Sequence, residues 1–126
     1  MGLITVLLLP RFGGRVDTGG RAMTTDAKFH IGQLIHHRLF GYRGVVYDID
    51  PVYSGTDEWY DQVARSRPPK DEPWYHVLVD EATHGTYVAE QNLEPDDEGG
   101  EVRHPAIAMV LGDFHNGVYQ PKQRPS

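Results

Sequence analysis

Hydrophobic and polar positions alternate most clearly over residues 40–51, FGYRGVVYDIDP. The stretch predicts a strand entered by a glycine turn at Gly41 and Gly44 and closed by Pro51, which has no backbone N–H to give to a ladder. With a period of two, Val45, Tyr47 and Ile49 fall on one face and Val46, Asp48 and Asp50 on the other. Residues 30–39 are the expected hairpin partner, and together the two segments predict the first half of a small barrel. Alternation there is only partial, which suits a strand covered on one side and partly on the other. Because side chains alternate, His36 and His37 point to opposite faces and cannot jointly hold one metal from a regular strand.

Beyond Pro51 the alternation stops until Pro73. Ser54, Gly55 and Thr56 supply capping chemistry for a short helix containing Asp57, Glu58, Trp59, Tyr60, Asp61 and Val63. The breaker segment 65–73, RSRPPKDEP, prevents it from continuing. A connection this long inside a small domain is a natural place for a partner to bind. Residues 74–80 form the next predicted strand, with Tyr75, Val77 and Val79 on one face and Trp74, His76 and Leu78 on the other. Residues 81–85 make a turn, 86–90 return as a strand, and 91–93 add a short closing one. An acidic loop follows at 94–101. In the tail, Pro105 sits where a first helical residue would, ahead of an apolar helix 106–111 that Gly112 ends. Residues 114–119 then make a turn, and 120–126 are expected to fray. The pattern is that of a mainly β, small antiparallel barrel with a long helical and loop insertion and a short C-terminal helix.

Composition narrows the chemistry. The 126 residues suffice for one domain with a modest core, and the absence of cysteine excludes disulfides, thiolate metal sites and cysteine nucleophiles. The formal net charge of −6 argues against generic phosphate-backbone binding. Residues 1–22 differ from the rest. They hold a seven-residue apolar run at 3–9, too short for a membrane span, and carry three Arg and one Asp. They read as an extension with little order, with Met23 as the natural start, and a weak export or anchor signal is the alternative reading. Residues 23–126 then hold nine basic and seventeen acidic side chains, a balance of −8.

No catalytic constellation emerges. The serines, Ser54, Ser66 and Ser126, lie in loops or the tail and outside any nucleophile-elbow sequence. Asp48 and Asp50 share a strand face, but paired Asp before a proline is ordinary strand-ending chemistry. The seven histidines match no helical ligand spacing, and only His76 with His84 could meet across a hairpin, so no metal is expected. The aromatic residues carry more information: Tyr42, Tyr47, Tyr53, Trp59, Tyr60, Trp74, Tyr75 and Tyr87. Core filling explains most of them. Tyr42, Tyr53 and Trp59 lie in turns or the long connection and are the stronger surface candidates. Tyr42 with Arg43, helped by Arg38, is the one local basic–aromatic site.

Residues 28–51 (KFHIGQLIHHRLFGYRGVVYDIDP), 73–79 (PWYHVLV) and 87–93 (YVAEQNL) resemble, in order, the HspQ family, also called YccV-like or hemimethylated DNA-binding. The resemblance implies a strongly bent antiparallel barrel similar to SH3- or Tudor-like modules, association as trimers and a cytoplasmic heat-shock role. It implies no catalytic residue and no cofactor. Its motifs look fold-bearing at Gly32, Gly41, Gly44, Pro51, Trp74 and Tyr75. Two functions follow from it: a specificity-enhancing factor for the Lon protease that promotes degradation of unstable proteins, or recognition of hemimethylated origin DNA. For the first, the expected contacts are Tyr53, Trp59, Tyr60, Arg65, Arg67 and Lys70; for the second, Arg38, Tyr42 and Arg43. The expected organisation is an extension at 1–22, the barrel domain at 23–100 and a C-terminal extension at 101–126, similar to one that some members carry.

Overall fold

A computed structural model describes residues 27–122. The expected extension 1–22 and start at Met23 lie outside the described residues. Strands β1 (Leu34–His37) and β2 (Arg43–Asp50) form the hairpin that the alternation predicts, and β3 (Trp74–Val79) and β4 (Gly85–Ala89) continue it as a meander. A single 3₁₀ turn, Glu90–Asn92, leads into β5 (Leu93–Pro95), which closes back on β1. The resulting five-stranded antiparallel sheet has the order β4-β3-β2-β1-β5. Helix α1 (Asp57–Val63) lies in the long connection, and helix α2 (Ile107–Val110) precedes a separate hairpin of β6 (Leu111–His115) and β7 (Val118–Pro121). The protein is mainly β, with two antiparallel sheets in a small barrel-like fold.

Every residue of β3 is buried, as expected of a strand with neighbours on both edges and side chains packed on both faces. Ile35, Val46, Tyr75, Val77, Val88 and Leu93 pack with Phe29 on one side of the sheet. Leu34, Val45 and Leu78 pack on the other with Val102, Leu111 and Tyr119 from the tail. Burial of this order contributes about 1.5–3 kcal/mol per large apolar side chain, so the two layers carry most of the fold.

Several expectations need correction. The closing strand expected at 91–93 lies instead at Leu93–Pro95, inside the stretch expected to be a loop, because the 3₁₀ turn takes up residues 90–92 first. The register shifts between Val46, opposite Val77, and Asp48, opposite His76, so Tyr47 is the extra residue of a β-bulge. Beyond it the faces exchange: Ile49 packs with the Val46 layer, not with Val45, while Asp48 and Asp50 share the face of His76 and Trp74. Strict alternation has no signal for an inserted residue. The predicted helix 106–111 and turn 114–119 are also wrong in part. The helix is only four residues, Leu111 and Gly112 begin β6, and Gln120 and Pro121 are paired in β7, not frayed. Tertiary packing decides this: the buried Tyr119 donates its N–H to the Gly32 carbonyl at 2.9 Å, and its ring fills the second core layer. Gly32 has φ +94°, and a Cβ there would collide with the Tyr119 carbonyl, which ties that glycine to the hairpin.

Candidate partner-binding surfaces

The long connection folds onto the sheet as an annex. Thr56 caps α1, its Oγ1 accepting the Trp59 N–H at 3.0 Å, as the Ser-Gly-Thr sequence predicts. The seven-residue helix stands because it is packed: Tyr60, Trp74, Tyr87 and Ala89 form a third buried cluster, flanked by Tyr53, Trp59 and Ala64. Tyr53 lies at the centre, its ring 4.8 Å from that of Trp74 and 5.4 Å from that of Tyr60. Polar ends are satisfied locally. Tyr60 Oη donates to the Pro68 carbonyl at 2.6 Å, Trp74 Nε1 to the Pro69 carbonyl at 3.1 Å, and Tyr53 Oη to the Thr56 carbonyl at 2.6 Å. The Tyr53 hydroxyl is pushed up to about 12 by burial, with the negative field of Asp57, Asp61 and Glu58 adding to it.

Cations form the rim of the annex. Lys70 Nζ sits 4.3 Å from the Tyr60 ring centroid and 5.7 Å from that of Tyr53, and the Arg67 guanidinium 4.8 Å from that of Tyr60. Lys70 also pairs with Asp57 at 3.3 Å and Arg67 with Asp61 at 3.0 Å. Arg65 is exposed beside them. Of the expected contacts, Arg65, Arg67 and Lys70 are therefore at the surface, Tyr53 and Trp59 are half-buried, and Tyr60 lies inside.

Beneath the annex is a buried polar network. The Asp50 carboxylate accepts the Tyr87 hydroxyl at 2.6 Å, and its same oxygen lies 3.0 Å from His76 Nε2. Tyr87 Oη in turn accepts the Ser54 N–H at 3.0 Å, fastening the connection to β4. Burial and the Asp50 carboxylate both raise the Tyr87 hydroxyl far above its ordinary range. On the opposite side of the sheet, Glu90 accepts the Tyr75 hydroxyl at 2.6 Å and the Lys28 N–H at 2.8 Å. These groups hold one another. His76 faces Tyr87 across the ladder, while His84 lies in the preceding turn, where its carbonyl accepts the Val79 N–H. Among the described residues, no group of three or more His, Cys, Asp or Glu side chains is arranged to hold a metal.

The β1–β2 turn places the basic–aromatic residues differently from one another. Arg43 is enclosed by carboxylates: Asp80 at 2.9 Å, Asp96 at 3.1 Å and Glu98 at 3.6 Å, with the Gly100 carbonyl as a further acceptor at 2.5 Å. Burial works against its charge, but the hydrogen bonds and charges of Asp96 and Asp80 more than offset this and raise its pKa. Tyr42 is half-buried, its hydroxyl 2.8 Å from Thr86 Oγ1 and pushed up to about 12 by burial. Only Arg38 reaches outward, and it has no side-chain partner among the described residues. Beside it stand Leu39 and Phe40, 61% and 73% exposed. Period-two alternation does not single out this apolar pair; its sequence signal is two large apolar side chains directly before a turn glycine.

Taken together, these features define a small barrel-like β module whose buried polar groups are paired with one another and whose outward features include a cationic rim and an apolar hairpin tip. Residues 27–118 match the family model described as hemimethylated DNA-binding protein YccV-like. The chain belongs to this YccV-like family, also called HspQ. Among the described residues, no helix is long and apolar enough to cross a membrane.

Proposed function

We propose that this protein is a non-enzymatic adaptor that binds the Lon protease and enhances degradation of unstable client proteins in the cytoplasm. The observation that carries this reading is how the cations are used. Against a balance of −8 over residues 23–126, Arg43, Arg67, Lys70 and Arg103 are each paired to carboxylates. A protein that neutralises several phosphates needs clustered free cations. A protein-binding module needs only a peptide-sized contact surface. The rim of Arg65, Arg67 and Lys70, with the edges of Tyr53 and Trp59, is the proposed contact, and Tyr60 supports it from beneath.

Degradation of an unstable client by purified Lon from the same organism, with and without the full chain, tests the reading. A concentration-dependent rise in rate that requires Lon supports it; no change in rate or binding across clients overturns it. The family description favours a second reading, binding of hemimethylated DNA. In that case affinity for a hemimethylated duplex would exceed that for unmethylated and fully methylated duplexes, fall steeply with salt, and depend on Arg38, Tyr42 and Arg43. The trimer implied by the resemblance is part of the proposal and is read by light scattering.

A further inference from the structure

The β1–β2 turn is built to hold two apolar side chains outward. His37 is buried, and its Nδ1 accepts the backbone N–H of Leu39 at 3.1 Å and that of Phe40 at 3.0 Å. One ring atom thus fixes two consecutive amides. The Phe40 ring stacks on the His37 imidazole, with centroids 4.6 Å apart and planes 18° from parallel, and Tyr42 packs on the same imidazole at 5.0 Å. The His37 N–H donates to the Tyr42 carbonyl at 2.8 Å, and the Gly41 N–H to the His37 carbonyl at 2.9 Å. Gly41, at φ +78°, makes the reversal that an L side chain resists. From the neighbouring segment, the Asn92 carbonyl accepts the Arg38 N–H at 2.8 Å. Burial lowers the His37 pKa to about 4, with neighbouring His36 adding to the shift, so the ring remains a neutral acceptor at physiological pH.

A loose apolar turn would fold over its own side chains. This one has each of its amide N–H groups from His37 to Gly41 hydrogen-bonded while Leu39 and Phe40 stay exposed, and Arg38 beside them has no carboxylate partner among the described residues. Phenylalanine and arginine are enriched at interface cores, and pre-organisation removes much of the ordering cost of binding. We infer that the tip Arg38-Leu39-Phe40 is a docking knob that inserts into an apolar pocket on a protein partner, with a carboxylate at the pocket's rim to receive Arg38. The charge indicates the partner's rim: a free cation at the tip of an acidic protein selects an acidic surface. The inference rests on the adaptor reading and adds a second contact to it, separate from the annex rim.

The test uses the full chain and Lon as the probe, measuring binding and client degradation for wild type, L39S/F40S and R38E. Both apolar side chains are largely exposed, so the double variant keeps the wild-type melting temperature to within a few degrees. R38E, which touches no packing, tests the charge if L39S/F40S loosens the turn. Support is a loss of affinity of roughly tenfold or more for L39S/F40S and about three- to tenfold for R38E. Unchanged binding by both variants, with wild type active, overturns the knob and leaves the adaptor reading standing. A wild-type chain that neither binds nor stimulates Lon overturns the adaptor reading and this inference with it. Two other results also overturn the inference. If L39S/F40S disperses a wild-type oligomer in light scattering, the knob belongs to a contact between copies; if only duplex DNA binding is lost, it is a wedge for nucleic acid.

Discussion

The annex at 51–73 and the turn at 38–42 are both loop-rich and both contain aromatic residues and arginines, yet they face opposite ways. In the annex, Tyr53 and Tyr60 send their hydroxyls to carbonyls of the connection itself, and their rings turn inward against Trp74 of β3 and Tyr87 of β4. In the turn, His37 takes the inward position and satisfies the loop amides, leaving Phe40 with nothing polar to anchor it inside. The difference shows that loop position does not determine exposure. What determines it is which side chain meets the hydrogen-bonding needs of the loop backbone. A tyrosine or tryptophan does so with its far end and is buried; a histidine does so close to the backbone and displaces its neighbours outward.

The largest effect that bears on this contrast is truncation of Tyr60. Tyr60→Ala removes a ring that is 5% exposed and also orphans the Pro68 carbonyl. The expected cost is about 3–5 kcal/mol, measured by urea unfolding of the full chain. A cost under about 1 kcal/mol would mean that the annex opens readily, and the inward–outward contrast would fail.

Arg43 divides the turn itself. Its side chain is 15% exposed, Asp80 likewise, and Asp96 only 3%, so Arg43→Met leaves two carboxylates close together without their cation. Loss of about 3 kcal/mol is expected, against less than about 0.5 kcal/mol for the exposed Arg38→Met. Equal small losses would indicate that Arg43 is as free as Arg38 and would strengthen the nucleic-acid reading.

Much of this was legible in the sequence, and the exceptions have physical causes. The hairpin at 34–50, the strand at 74–79, its return and the Thr56 cap follow from local alternation and turn chemistry. The bulge at Tyr47 does not, because one inserted residue leaves no local mark, and it moves Ile49 to the other layer. The β6–β7 hairpin was misread because Leu111 takes its conformation from Val45 and Leu78, residues far away in sequence. Tyr53, Trp59 and Tyr60 stand out together in the sequence, but their inward packing depends on the Pro68 carbonyl that accepts the Tyr60 hydroxyl and on Trp74 and Tyr87 of β3 and β4, which no spacing rule connects. Leu39 and Phe40 were passed over because a period-two reading has no category for apolar side chains directed outward by a turn.

Acid should loosen the tip. The His37 pKa of about 4 in the fold is below its ordinary 6.5, so the unfolded chain binds the extra proton first as pH falls. Its contribution is complete above pH 6.5, declines between 6.5 and 4 and is gone below 4, a total on the order of 3 kcal/mol. The groups around the ring are Phe40 and Tyr42 packed on it, Leu93 opposite in β5, and His36, which pairs with Glu94 at 2.9 Å. Urea titrations of wild type and His37→Gln from pH 7 to 4.5 separate this effect from carboxylate titration: the wild-type slope should exceed that of the variant by roughly one proton. Parallel slopes would show that the imidazole is not the acceptor that holds the turn.

The smallest effect belongs to the rim. Lys70 lies over Tyr60 and Tyr53 and pairs with Asp57, yet its side chain is 46% exposed and that of Asp57 86%. Solvent screens such a pair, so Lys70→Met should cost no more than about 0.5–1 kcal/mol. The part due to Asp57 should vanish in 1 M salt, where the screening length is about 3 Å, while the part due to the rings should persist. Measuring wild type and variant at low and high salt therefore separates the two. A salt-independent loss well above 1 kcal/mol would make Lys70 a clamp of the annex and not an exposed contact, and the rim would then resemble the turn's Arg43 more than its Arg38.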